Sequence, residues 1–371
     1  MPAKQKKADK KVTLTLPDGT RKYFYGRTKK EAEQKRDEAK RQIAGGIDVG
    51  NNMTFKELAD IWLREYMAKK KLHECTKAST KGIFDRYLLP ELGHMKLRDI
   101  KPAHIDLMLL KYADLSKSTQ SKILIYAGAV FDKAIENGII PRSPTFNKKP
   151  TADDPEEVKP LTNVQCEELL KTMKGTRVYP FIVLVLFSGL RKGEALGLMW
   201  KDLDFENRLI HVRRSVIYPE GSKRHGEICD KLKSDSAHRT IPMAPEIYNV
   251  MMAEKKKTDS VYVFSMRNGS FLTQESFRSM WDLIRYRTIG GPATGHHVHA
   301  TLDFSVHPHQ LRHTCCTRWI ANGMTPKEAQ YLMGHSSPDI TMGIYADYIA
   351  EQELSNTAKK LSSDGLRLAL G

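Results

Sequence analysis

Cysteine, acidic residues and long apolar runs are all scarce in this chain, and each scarcity narrows its class. Five of 371 residues are cysteine, an odd number with no paired Cys-x-x-Cys spacing, which argues against a disulfide framework and a structural zinc site. A reducing, intracellular compartment is the expectation. Forty-four Asp and Glu stand against 60 Lys and Arg, a formal net charge of +16 that points to a polyanionic partner, nucleic acid above all. No stretch reaches the roughly 18 uninterrupted apolar residues of a membrane span. The basic N-terminus, Met1 to Lys11, runs into alternating polar residues without an apolar core and does not read as a secretory signal. The length sets an expectation of two to three domains at roughly 150 residues each.

What is present is unevenly spread. Residues 1–50 hold 14 basic residues against 7 acidic ones. There Val12, Leu14 and Leu16 alternate with Lys11, Thr13 and Thr15, Pro17-Asp18-Gly19 reads as a turn, and Lys22-Tyr23-Phe24-Tyr25 reads as a second strand. Thr28 and Glu31 have capping-box spacing, predicting a polar helix that runs to Gly45-Gly46. This small module is expected to dock on DNA through its sheet. From Thr54, which with Glu57 forms another capping box, the pattern turns helical, with Phe55, Leu58, Trp62 and Tyr66 on one face. Tyr87-Leu88-Leu89-Pro90 is expected to end a second helix, Lys101 to Leu110 suggests a third, and Ser118 to Asn137 a fourth that Gly138 stops. Residues 51–144 therefore read as a helical bundle with its apolar stripes in the core and DNA at its rim. Five of the 17 prolines lie between Pro141 and Pro160, beside the acidic run Asp153 to Glu157, and this linker composition places a boundary at 145–160.

Residues 161–355 read as a mixed domain, mainly helical with a small antiparallel sheet. Thr162 and Gln165 cap a helix, and the run from Tyr179 to Phe187 reads as a buried helix ended by a glycine. Strand-like stretches follow at Arg208 to Ile217 and Arg239 to Met243, with the basic loop Gly221 to Gly226 between them. Four patterns here carry chemistry. Phe187-Ser188-Gly189-Leu190-Arg191-Lys192-Gly193-Glu194 sets an arginine at a helix junction, and Lys233-Ser234 precedes Arg239-Thr240-Ile241-Pro242. His307-Pro308-His309-Gln310-Leu311-Arg312-His313-Thr314 puts His309 and Arg312 on one helical face. Last, a capping box at Thr325-Pro326-Lys327-Glu328 leads to Met333-Gly334-His335, with Tyr345 ten residues on.

In this order the four blocks resemble the signature of the tyrosine recombinases, the integrases of phages and conjugative transposons. The resemblance covers nearly the whole chain and implies a multidomain, mainly α fold: a small N-terminal α/β arm-type DNA-binding module, a helical core-binding bundle and a mixed α+β catalytic domain. It implies Arg191, Lys233, His309, Arg312 and His335 as the catalytic pocket and Tyr345 as nucleophile, with no cofactor and no metal. It also implies double-stranded DNA attachment sites as partners, a homotetramer on DNA, a cytoplasmic, nucleoid-associated location without membrane, and room for an excisionase and a host DNA-bending protein. The tail at 356–371 resembles one exchanged between protomers, and packing on its own chain is the alternative.

The residue types suit that chemistry on their own. Phosphodiester transfer builds negative charge on the non-bridging oxygens, which paired guanidinium donors on Arg191 and Arg312 can meet. A tyrosine hydroxyl is a weak nucleophile at pH 7 and needs a proton acceptor, for which His309 is placed. The leaving sugar oxygen needs a proton, which a lysine depressed by neighbouring arginines can supply. Lys231 rivals Lys233 for this task, and Tyr348 rivals Tyr345. His335 would donate to a non-bridging oxygen and Glu194 would orient the pocket. Asp347 stands where the family often has a histidine. Seven of 13 histidines fall between His296 and His335, but Gln310 occupies the place where the zinc-hydrolase pattern requires a glutamate. His296 to His299 lie in a Gly-rich stretch, 290–302, that reads either as a DNA-contacting insertion or as a plain loop. A type IB topoisomerase and a binding-only protein of the same fold are the alternatives to a recombinase.

Overall fold

Alternating side chains fold the N-terminal residues into a hairpin. β1 (Lys10–Thr15) pairs antiparallel with β2 (Arg21–Gly26), with Val12 opposite Phe24 and Thr13 opposite Tyr23. One face of the hairpin turns Leu14, Leu16 and Phe24 toward Ala39, Ile43, Ile47 and Val49. The other shows Lys11, Arg21, Tyr23 and Tyr25 to solvent, with the Lys11 ammonium 3.6 Å above the centre of the Tyr23 ring. Thr28 caps α1 (Lys29–Ala44) by accepting from the Glu31 N–H, while the Glu31 carboxylate reaches the Arg27 N–H at 2.8 Å. These elements belong to a computed structural model that describes residues 10–16, 19–69, 74–154, 158–218, 226–229, 238–293, 296–335, 337–339, 341–346 and 348–349. Lys231, Lys233, Asp347, most of the basic loop and the tail at 356–371 lie outside the described residues. The chain divides into two compact units, Met1–Glu156 and Glu157–Gly371. It is mainly helical with small antiparallel sheets.

In the first unit, α2 (Phe55–Lys69), α3 (Glu74–Ile83), α4 (Leu89–Leu92), α5 (Pro102–Lys111), α6 (Lys117–Glu136) and the turn that joins α3 to α4 bury Phe55, Leu58, Phe84, Leu88, Ile105, Ile123 and Phe131 in one core. The second helix does not end at Pro90. α3 instead runs into a π-helical turn, Phe84–Leu88, and α4 continues to Leu92. Pro90 has no N–H for the Arg86 carbonyl four residues earlier. The Tyr112 hydroxyl reaches that carbonyl at 3.4 Å and the Glu91 carboxylate at 3.1 Å, so a tertiary contact takes over part of what the proline removes. Beyond α6 the proline-rich segment stays tied to this unit, because Gln120 accepts from the N–H groups of Thr151 and Ala152.

The second unit is organised around α8 (Tyr179–Ser188), whose Phe181, Ile182, Val183, Leu184, Val185 and Leu186 are all buried. Burying each such side chain favours folding by roughly 1.5–3 kcal/mol before entropy is counted. α7 (Asn163–Met173), α9 (Lys192–Leu196), α10 (Pro245–Lys255), α11 (Gln274–Ile289) and α12 (Pro308–Ala321) supply the rest of its helical shell. β3 (Leu203–Asp204), β4 (Leu209–Val212) and β7 (Arg239–Pro242) form an antiparallel sheet in that order, and β5 (Ser215–Ile217) pairs separately with β6 (Glu227–Cys229). The stretch from Arg208 to Ile217 is thus two strands in two sheets. It breaks at Arg213-Arg214, where Arg214 pairs with the buried carboxylate of Asp202. Within the Gly-rich stretch at 290–302, β8 (Gly291–Ala293) and β9 (His296–Val298) form a short hairpin. α13 (Pro326–Met333) and a helical segment over 341–346 complete the unit. Among the described residues no helix is long and apolar enough to cross a membrane.

Candidate active site

An all-apolar helix must stop before charged chemistry can begin, and α8 stops at Gly189 with φ +64, the left-handed conformation that glycine adopts without strain. Leu190 then dips into the core and Arg191 emerges as the N-cap of α9, its side chain 41% exposed. Glu194 folds back on it. One carboxylate oxygen accepts the Arg191 N–H at 2.9 Å and the other accepts from Arg191 Nη1 at 2.8 Å. This carboxylate is 3% exposed and holds a second guanidinium, that of Arg239, by bonds of 2.8 and 3.1 Å. Burial alone would raise the Glu194 pKa, but Arg239 first and Arg191 next hold it below the usual glutamate value.

Three arginines converge on the end of α13. A helix leaves its last carbonyls without intrahelical partners, and here Arg239 Nε takes that of Leu332 at 2.6 Å, Arg312 Nη2 that of Met333 at 2.6 Å, and Arg191 Nη2 that of Gly334. The negative end of the helix dipole favours cations at this position. Arg312, on the first turns of α12, is 2% exposed and also donates to the Gly189 carbonyl. Burial and the charge of Arg191 lower its pKa, yet a guanidinium in this setting stays cationic. Gly334 closes α13 with φ +66 and turns the chain into His335.

Two histidines share this field. His335 is 9% exposed, its Nδ1 lies 2.7 Å from the buried Thr341 hydroxyl, and its pKa falls to about 4. Burial is the largest cause, followed by the charges of Arg312, Arg191 and Arg239. The ring is therefore neutral at physiological pH. His309 keeps an open side to solvent; partial desolvation, then Arg312, His313 and Arg191, lower its pKa as well. Tyr345, in the helical segment over 341–346, packs half-buried against Cys315, Cys316, Ile320, Ala329, Met333 and Ile344, and Tyr348 packs against the same cluster.

Of the residues singled out by sequence, Arg191, His309, Arg312 and His335 are thus brought into one electrostatic neighbourhood, with Glu194 at its base. Tyr345 lies on the adjoining helix and Lys233 lies outside the described residues. Arg239 was missed as a site residue. The signal was available: alternation along β7 puts Arg239 on the same inward face as Ile241, and an inward arginine requires a buried partner.

Comparison with known proteins gives the family. Residues 159–352 match the Phage integrase family, and residues 54–107 match the phage integrase N-terminal SAM-like domain. The chain is 28% identical over 362 residues to a tyrosine recombinase XerC-like protein of Caldanaerobacter subterraneus subsp. tengcongensis, covering 90% of this chain and 89% of that one. It is 27% identical over 321 residues to the transposase from transposon Tn916 of Enterococcus faecalis, covering 83% and 78%. The structure of the Tn1549 transposon integrase in complex with a circular intermediate DNA superposes with a TM-score of 0.68 at 28% identity, over 82% of this chain and 99% of that one. A match across more than half the chain, laid over the residues that build the arginine cluster, places this protein in the phage integrase family, the tyrosine recombinases, which are DNA strand-transferring enzymes.

Proposed function

We propose that the chain is the integrase of a phage or an integrative conjugative element and recombines double-stranded DNA through a phosphotyrosine intermediate. The observation that carries this reading is the convergence of Arg191 and Arg312 with two neutral histidines at the end of α13. Each guanidinium uses part of its fork on backbone carbonyls and retains further N–H donors for the non-bridging oxygens of a phosphate. Tyr345 attacks the scissile phosphate, forming a 3′-phosphotyrosyl bond as the 5′ oxygen leaves. His309, uncharged at pH 7, accepts the tyrosine proton. The Thr341 hydroxyl engages Nδ1 of His335, and in the tautomer with its proton on Nε2 the ring donates a hydrogen bond to a non-bridging phosphate oxygen. Lys233 protonates the departing oxygen. The partner strand's 5′-hydroxyl reverses the step. The ester keeps the energy of the broken bond, so exchange requires no ATP, and the guanidinium charges take the part that a metal plays in other phosphoryl transfers.

The same reading assigns residues 1–50 to arm-type DNA, through the solvent face that carries Lys11, Arg21, Tyr23 and Tyr25. It assigns 51–144 to the core site, 145–160 to the linker and 161–355 to catalysis. Four protomers exchange two pairs of strands in turn, with an excisionase and a host DNA-bending protein setting direction, in the cytoplasm at the nucleoid.

The test mixes the protein with a supercoiled plasmid carrying the joined ends of the element that encodes it, in EDTA, and denatures with SDS. A covalent 3′ adduct that disappears in Tyr345→Phe supports the reading. An adduct lost instead in Tyr348→Phe reassigns the nucleophile, and no adduct despite salt-sensitive DNA binding defeats it. Joining of two separate duplexes separates a recombinase from a topoisomerase.

A further inference from the structure

The chemistry above leaves Arg239 without a role, although its side chain is completely buried and makes three bonds in two directions. Its Nη atoms each take one oxygen of Glu194, the same two oxygens that hold the backbone and the guanidinium of Arg191. Its Nε takes the Leu332 carbonyl, three residues before His335. Arg239 also opens β7, the strand onto which the chain returns from the Lys233 segment. Burying a charge this deeply costs more than an apolar side chain of the same volume, so stability alone gives little reason for it. A rigid planar fork, however, stops a carboxylate from rotating, which neither a lysine nor an apolar residue can do.

We propose that Arg239 is a positioning residue for strand cleavage: it locks Glu194 in the orientation that aims Arg191 and fastens the end of α13 that presents His335. One guanidinium thereby registers the first arginine, the second histidine and the root of the lysine-bearing segment. The proposal rests on the recombinase reading of this pocket.

The pH profile separates positioning from bracing. Glu194 is faced by Arg191 from α9, Arg239 from β7 and Arg312 from α12, and Arg239 is the strongest of the forces that hold it ionised against burial. Without Arg239 its pKa rises, and protonation at lower pH releases Arg191. Single-turnover adduct formation on the same plasmid is followed from about pH 5.5 to 8.5 in the parent, Arg239→Met and Arg239→Met/Glu194→Gln, with melting curves and DNA affinity alongside. Arg239→Met should keep its DNA affinity, lose about a hundredfold in cleavage rate at pH 7, and lose more as pH falls, so that its rate relative to the parent drops with acid. The double variant has no carboxyl to titrate and should be slow with a flat ratio. An unchanged rate in Arg239→Met, or a loss equal at every pH, marks a packing brace and overturns the proposal. If Arg239→Met does not fold, the double variant decides alone, and a parental rate there sinks the idea. An absent adduct in the parent is a separate result, which removes the recombinase reading and this proposal with it.

Discussion

Gly189 and Met333 touch at the floor of the arginine cluster, and the carbonyls of these same two residues hold Arg312. A Cβ on Gly189 would stand 2.5 Å from Met333 Cε and 2.8 Å from its Sδ, on a backbone with φ +64. Gly189→Ala should therefore cost about 1–2 kcal/mol in backbone strain, with a further contribution from moving a buried methionine. Because the shift displaces a carbonyl that orients Arg312, adduct formation should fall more than the lost stability explains. Denaturant unfolding beside single-turnover cleavage checks both. Full recovery in Gly189→Ala/Met333→Ala would show that the clash mattered and the φ angle did not.

Arg312→Lys keeps the charge and loses the fork. A single ammonium on a flexible stem does not reproduce a planar hold on the Gly189 and Met333 carbonyls, and a carbonyl left unpaired in the core costs about 1–3 kcal/mol. Cleavage should drop by roughly 10²–10³ as a phosphate donor loses its aim. DNA affinity, carried by many basic residues, should change little. A variant that cleaves at the parental rate would show that only the charge is needed.

His335 makes stability depend on acid. Its pKa is near 4 when folded against an ordinary 6.5, so between those values the unfolded chain binds a proton that the native chain refuses. Stability is full above pH 6.5 and falls as pH drops toward 4, by up to about 3 kcal/mol from this residue. His309, lowered in the same direction, adds to the loss. Urea unfolding at several pH values should therefore show a shallower acid decline in His335→Gln than in the parent. Parallel declines would mean that the ring is not shielded in solution.

In the helical bundle, Tyr112→Phe should destabilise by about 1 kcal/mol. It removes the hydroxyl that reaches the Arg86 carbonyl, four residues before Pro90, together with its bond to Glu91. Pro90→Ala restores the backbone donor, so in that background the tyrosine should matter less. Equal costs in the two backgrounds, measured as a double-mutant cycle, would disprove the link.

Local rules were legible wherever the partner lies a few residues away. The caps at Thr54, Thr162 and Thr325 each accept from the backbone N–H three positions on, and the apolar run of α8 needs only its own composition to require burial. The same holds for His309 and Arg312, which one turn of α12 carries together. Features that depend on distant partners were not legible. Pro90 reads as a helix end until Tyr112 is in place, 208–217 reads as one strand until Asp202 draws Arg214 aside, and Arg239 reads as one more basic residue.

The sequence by itself determined the mainly helical class, the basic character, the four motif blocks and the family they resemble, because these rest on composition and on spacings of at most a few turns. Tertiary structure decided that the carbonyls of Leu332, Met333 and Gly334 each receive an arginine from a different element, and that Glu194 sits between two of those arginines. Such contacts join residues up to 143 positions apart. Only a packed core brings them within hydrogen-bonding distance, and there burial, reinforced by the arginine charges, drives the His335 pKa down to about 4.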